Sequence, residues 1–195
     1  MGQIVQRFGD KIFEYIELKE KKLVVLDLDG TIIDSDVNSK TITSETHIIN
    51  VEGVDYKITI RPYFKEFKEW LFKNYQVAIW TNALMIYAKP VLKLIFKEHY
   101  QQILFIWDRQ KSVSCCYNNS VLLMKPLNKI IEEYSNFSID DIVIIEDTPS
   151  NCIEFIENCY SINTYSTDTE NPDSSLLDII QDFQNGIYCN ILKYT

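Results

Sequence analysis

Five short stretches, the first four built on uninterrupted apolar runs, constrain the fold of this chain most strongly: Leu23–Asp27 (LVVLD), Val77–Trp80, Ile103–Ile106, Ile142–Ile145 and Ser161–Tyr165. Continuous apolar runs without alternation suit strands covered on both faces, as in a parallel sheet. Stretches of helical period separate most of them. Pro62 opens the first, with Phe64, Phe67 and Leu71 on one stripe and Trp70 beside it. Further helices are predicted from about Ala83 to Lys97, Pro126 to Tyr134, Ser150 to Cys159 and Ser175 to Phe183. Alternating strands and helices predict an α/β fold, a five-stranded, mostly parallel sheet flanked by helices. One segment departs from the alternation. In HIINVEGVDYKITIRP, apolar positions flank Glu52-Gly53 as in an antiparallel hairpin, so a small β insert is expected at about residues 46–60.

The chain has 195 residues, the usual size of one domain, and a single domain over 1–195 is expected. Its net charge of −9 disfavours broad electrostatic binding to nucleic acid or anionic lipid. No apolar run approaches the ~20 residues that span a bilayer, and the N-terminus lacks a secretory pattern. The five cysteines include an adjacent pair and no CxxC, which argues against a disulfide framework or a zinc site. An intracellular location, cytoplasmic or nuclear, is the expectation. His47 and His99 have no partner pattern and receive no role.

In open parallel sheets, ligands bind at the carboxyl ends of strands. Here the first strand ends in Asp27-Leu28-Asp29-Gly30-Thr31, the second in Thr81-Asn82 and the fourth in Glu146-Asp147-Thr148-Pro149, while Lys125 opens the helix before the fourth. Taken singly, each group is more often a turn, a helix cap or a solvated lysine. Together they gather carboxylates, a hydroxyl and an ammonium at one edge. Crowded carboxylates are held ionised by a hard cation with oxygen ligands, and Mg²⁺ also shares phosphate oxygens. One aspartate could attack phosphorus while the other moves protons, with Thr81 and Lys125 holding the transferring oxygens.

This order of motifs resembles the haloacid dehalogenase superfamily of phosphatases, with its Rossmann-like fold. VVLDLDGT is similar to the first motif, which implies a nucleophile at Asp27 and an acid/base at Asp29. IWTN resembles the second, giving Thr81 a phosphate-binding role; Lys125 falls where the third-motif lysine is expected, and IIEDTP resembles the acidic fourth. A closer likeness is to phosphatases of the RNA polymerase II C-terminal domain, a family that includes NLI-interacting-factor-like proteins. ITIRPYFKEFKEWL is similar to their RPxxxxFL stretch, WDRQKSVSCC to an arginine-before-cysteine segment, KPL to KDL and EDTP to DNSP.

The resemblance implies Mg²⁺ as cofactor, with Asp27, Asp29, Glu146 and Asp147 as metal ligands, and Asn82 and Arg109 as substrate-binding residues. It implies a phosphoserine or phosphothreonine segment of a protein as substrate, with the polymerase repeat as the model. Three departures stand out: Gly30 replaces the glutamate of DLDET, Glu146 an aspartate, and Asp147 the asparagine of DNSP. The spans from Asp34 to Ile60 and from Ala83 to Met124 are too short for a large cap domain, so an open site is expected. Two alternatives stay open: a phosphatase for nucleic-acid ends or small phosphate esters, and a non-catalytic scaffold that kept the fold.

Overall fold

The computed structural model describes residues 21–37, 45–117, 120–167 and 173–190; the readings of the N-terminal segment fall outside these. The main sheet joins β1 (Leu23–Leu26), β5 (Gln76–Trp80), β6 (Ile106–Trp107), β9 (Ile142–Glu146) and β10 (Cys159–Ser161). Their order is β10-β9-β1-β5-β6, and every pairing is parallel. β1 is therefore the central strand, with the chain crossing to β5 and β6 on one side and to β9 and β10 on the other. That reversal of direction beside β1 is the switch point at which open sheets bind ligands.

Because side chains alternate across a strand, each central strand feeds two cores. Val24, Leu26, Val77, Ile79, Val143 and Ile145 face one of them. There they meet Phe67 and Leu71 of α1 (Phe64–Asn74), Val91 and Ile95 of α2 (Met85–Phe96), and Leu176, Ile179 and Phe183 of α4 (Ser175–Gln184). Leu23, Val25, Ala78, Trp80, Ile142 and Ile144 face the other, against Phe105, Trp107, Leu127 and Ile130 of α3 (Asn128–Glu133). The absence of alternation in the sequence thus has its cause in burial on both faces.

The expected elements are present, with shifted ends. Tyr63 adopts a left-handed conformation (φ 63°) directly after Pro62, so α1 begins at Phe64. The third strand pairs formally over Ile106–Trp107 alone, yet its ladder contacts begin earlier, with the Leu104 amide donating to Val77 O (2.8 Å). The last strand lies upstream of Ser161–Tyr165, at Cys159–Ser161. Residues 149–158 form 3₁₀ turns interrupted at Cys152 and Phe155 instead of an α-helix.

The expected hairpin is β3 (Thr46–Val51) and β4 (Val54–Ile60), and it gains a third antiparallel strand, β2 (Ile33–Asp36), on its other edge. The chain between β6 and Met124 forms a second hairpin, β7 (Val113–Tyr117) and β8 (Ser120–Met124). Among the described residues, no helical cap domain follows β1 or β5, and no helix is long and apolar enough to cross a membrane.

Candidate active site

The parallel register carries the polar strand ends to one place. Leu26 pairs with Ile145 and with Ile79, so Asp27, Glu146 and Thr81 emerge at the same edge. The ladder continues into the site itself, with the Asp27 amide donating to Ile145 O (3.0 Å) and the Thr81 amide to Trp107 O (2.9 Å). These backbone bonds fix the functional residues as rigidly as the sheet they end.

Lys125 sits at the centre. Its side chain is fully buried, and its ammonium donates to Asp27 Oδ1 (2.5 Å) and Glu146 Oε2 (2.6 Å). Its backbone amide donates to Asn151 O (2.7 Å), and Asn151 Nδ2 donates in turn to Glu146 Oε1 (3.0 Å). The Thr148 amide also approaches Oε1 at 3.3 Å. Both Glu146 oxygens are therefore engaged, one by the lysine and one by the turn that follows β9. Burial is the main cause that pushes the Glu146 carboxyl up to about 8, and the Asp27 charge adds to it. The two carboxylates hold the Lys125 ammonium protonated despite its burial.

Asp27, Glu146 and Asp147 form a cluster whose ligand atoms all lie within 4.8 Å of one another. Asp147 accepts from Thr164 Oγ1 (2.9 Å), and its amide donates to Thr31 Oγ1 (3.2 Å). Thr31 Oγ1 stands 3.4 Å from both Asp27 Oδ2 and Asp147 Oδ1. Desolvation and the neighbouring Asp27 charge raise the Asp147 carboxyl. With one ammonium against several carboxylates, the site carries surplus negative charge.

The Asp29 carboxylate points elsewhere: it accepts a 2.5 Å hydrogen bond from the Tyr87 hydroxyl on α2. Burial raises Asp29 to about 6, the Tyr87 bond opposes that shift, and the Asp27 and Asp147 charges reinforce it. A carboxyl at that value can both give and take a proton near neutral pH. Thr81 is buried, and its Oγ1 accepts from the Ala83 amide (3.0 Å).

Asn82 takes part in a different network. It donates to Leu123 O (3.0 Å) and accepts from Ser112 Oγ (2.6 Å), tying the β7–β8 hairpin to the end of β5. Arg109 is exposed just beyond β6, with its amide on Ala83 O (3.1 Å). Sequence reasoning gave no role to Tyr87, Thr164, Asn151 or the buried Arg61. The last donates from Nε to Asp173 (2.7 Å) and from its terminal nitrogens to Thr31 O (2.7 Å) and Asn163 O (2.8 Å). The arginine of the RP dipeptide was a visible signal; Tyr87 and Thr164 carried none.

A family model described as NLI interacting factor-like phosphatase matches residues 22–190. Phosphatase PSR1 of Saccharomyces cerevisiae is 28% identical over 166 residues, covering 83% of this chain and 35% of that protein. The human CTD small phosphatase-like protein is 27% identical over 172 residues, covering 84% of this chain and 55% of its own length. This chain thus spans between about a third and about half of these relatives. Among solved structures, that of Fcp1, described as an essential RNA polymerase II CTD phosphatase, superposes with a TM-score of 0.63 at 18% identity. It covers 91% of this chain and 52% of that one, which establishes a shared fold. The match across nearly all of the described sheet, with the acidic strand ends inside it, means that this chain belongs to the NLI interacting factor-like phosphatase family.

Proposed function

We propose that the chain is a Mg²⁺-dependent phosphoprotein phosphatase that works through an aspartyl-phosphate on Asp27. The observation that carries this reading is the buried Lys125 ammonium held between Asp27 and Glu146, with Asp147 in the same cluster. An exposed DxD turn would need no buried cation, whereas a nucleophile facing a phosphate dianion needs positive charge beside it.

The donor set fits Mg²⁺: three carboxylates, oxygen only, close together and carrying more negative charge than Lys125 offsets. Asp27 and Asp147 would hold the ion, with Glu146, engaged by Lys125 and Asn151, completing the acidic set. Mg²⁺, when bound, supplies charge neutralisation at the phosphoryl oxygens. The remaining steps belong to the chain. Asp27 attacks phosphorus, and the bond to the serine or threonine oxygen breaks as Asp29 gives that oxygen its proton. Thr81 and Lys125 hold the transferring oxygens. Water then attacks the acyl phosphate while Asp29 takes its proton, releasing phosphate and restoring the Asp27 carboxylate.

A phosphorylated segment of a protein is the substrate class that the surroundings favour. The inserts after β1 and β6 are small sheets, so the site stays open to a chain. The net charge of −9 disfavours nucleic acid. The Fcp1 likeness and the CTD phosphatase-like relatives support the polymerase repeat as the first substrate to try, with Asn82 and Arg109 as candidate contacts. The test compares phosphate release from a phosphoserine heptad-repeat peptide, p-nitrophenyl phosphate and a phosphorylated oligonucleotide, with and without Mg²⁺. Mg²⁺-dependent release that favours the peptide is expected. Preference for the oligonucleotide or the small ester would refute the substrate assignment, and no release from any would refute the enzyme.

A further inference from the structure

In this sequence Asp147 departs from the asparagine of the DNSP pattern that EDTP resembles, and Gly30 from the glutamate of DLDET. The structure connects these two departures to a third residue. The segment after β10 crosses the ends of the central strands and is pinned there: the Ile162 amide donates to Glu146 O (3.1 Å), the Tyr165 amide to Gly30 O (2.7 Å), and Arg61 to Asn163 O (2.8 Å). Thr164 is thereby fixed over the site, and its Oγ1 donates to Asp147 Oδ2 at 2.9 Å.

The competing donor to the same carboxylate is weaker. Thr31 has a single hydroxyl proton and stands 3.4 Å from both Asp27 Oδ2 and Asp147 Oδ1, so it cannot serve both at once. Thr164 therefore makes the shorter side-chain bond, and that bond sets the rotation of the Asp147 carboxylate. The position so fixed exists only because residue 30 lacks a side chain. A Cβ there would lie 2.4 Å from Asp147 Oδ2, 2.9 Å from its Cγ and 3.2 Å from Thr164 Cγ2, and Gly30 has φ +81°. The carboxylate occupies the volume that any other residue at position 30 would fill.

We propose that Thr164 is a positioning residue for Asp147, orienting it for Mg²⁺, and that Gly30 leaves the space in which that orientation is held. The inference rests on the metal reading above. Groups behind a metal ligand commonly change metal affinity about 10–100-fold when removed, and the exposed position of Thr164 places its effect near the lower end.

The experiment is a Mg²⁺ titration by calorimetry, without substrate, on the wild type, Thr164→Val and Thr164→Ser. Valine keeps the shape and removes the donor; serine keeps the donor. The expected result is about tenfold weaker Mg²⁺ binding for Thr164→Val and near wild-type binding for Thr164→Ser. In turnover, the Mg²⁺ concentration for half-maximal rate rises in Thr164→Val by a similar factor, while kcat at saturating Mg²⁺ changes little. Gly30→Ala weakens Mg²⁺ binding further, because it displaces the carboxylate itself. A purely structural Thr164 would lower the unfolding temperature of Thr164→Val and leave its Mg²⁺ affinity at the wild-type value, which overturns the inference alone. Equal losses in Thr164→Val and Thr164→Ser would also overturn it. Failure of the wild type to bind Mg²⁺ would overturn the metal reading and this inference with it.

Discussion

Replacing Lys125 by methionine isolates the interaction on which the site is built. The ammonium is 0% exposed, its partners Asp27 and Glu146 are 8% and 1% exposed, and the two contacts are 2.5 and 2.6 Å long. Methionine fills most of the volume and leaves two carboxylates buried without a cation. Breaking a buried pair in this way costs about 3–5 kcal/mol, because the remaining charge has lost its partner but not its burial. Against a total stability of roughly 5–15 kcal/mol for a domain, that is a large share. The cost must also depend on pH. A buried carboxyl raised above its unfolded value keeps a proton that the unfolded chain releases, so the folded state loses stability as pH climbs from the unfolded value through the folded one. Glu146 sits at about 8 even with Lys125 present, and removing the ammonium raises it further. Lys125→Met is therefore expected to lose more stability at about pH 8 than at about pH 5.5. Urea unfolding in chelator, with both proteins at both pH values, measures this directly. Adding Glu146→Gln to Lys125→Met removes one stranded charge and should recover about 1–3 kcal/mol. A loss below about 1 kcal/mol, equal at the two pH values, would refute the reasoning, since only a solvated lysine behaves so.

Three further outcomes follow from named contacts. Tyr87→Phe removes the hydrogen bond that holds Asp29 down, so the Asp29 value rises above about 6 and its protonated form persists to higher pH. The alkaline limb of phosphopeptide cleavage should move up, while p-nitrophenyl phosphate, whose leaving group needs no acid, shows no such shift. Arg61→Lys cannot reproduce the fork that joins Asp173, Thr31 O and Asn163 O, and should cost about 2–3 kcal/mol, read as a lowered unfolding midpoint. Asn190 pairs with the edge of β10 as a neighbouring strand would, accepting from the Ser161 amide (2.7 Å) and donating to Ser161 O (2.8 Å). Asn190→Ala should cost about 1–2 kcal/mol and speed hydrogen exchange at the Ser161 amide.

The legible parts of this fold are those in which burial dictates composition. LVVL, VAIW and IVII are apolar throughout because both faces of β1, β5 and β9 are covered, and the polar residues that follow them had no place but the sheet edge. β2 was not legible: IDSD offers Ile33 alone to the core, and its strand character comes from pairing with β4. β7 and β8 escaped for a related reason. They form a two-stranded ribbon outside the main sheet, with Val113 and Val121 exposed, so the short apolar run VLLM at 121–124 does not mark a core strand. The 3₁₀ segment at 149–158 has helix-like spacing, but the chain there bends so that Asn151 meets both Lys125 and Glu146.

Within the site, sequence order pointed to Asp27, Thr81, Lys125, Glu146 and Asp147, since each lies at a strand end or opens the helix beside it. Side-chain direction was not legible. Nothing in LDLDGT indicates that Asp29 turns to Tyr87, or that Thr164, far along the chain, reaches Asp147. Those contacts depend on how loops cross the sheet edge, which no local pattern encodes.

The central claim is that Asp27 carries the phosphoryl group. Acid quenching during turnover of a phosphoserine peptide with Mg²⁺, followed by peptide mapping by mass spectrometry, tests it most directly. The account predicts one phosphoryl group on the peptide containing Asp27, and neither that adduct nor turnover in Asp27→Asn. An adduct on any other residue, or wild-type turnover by Asp27→Asn, would contradict it.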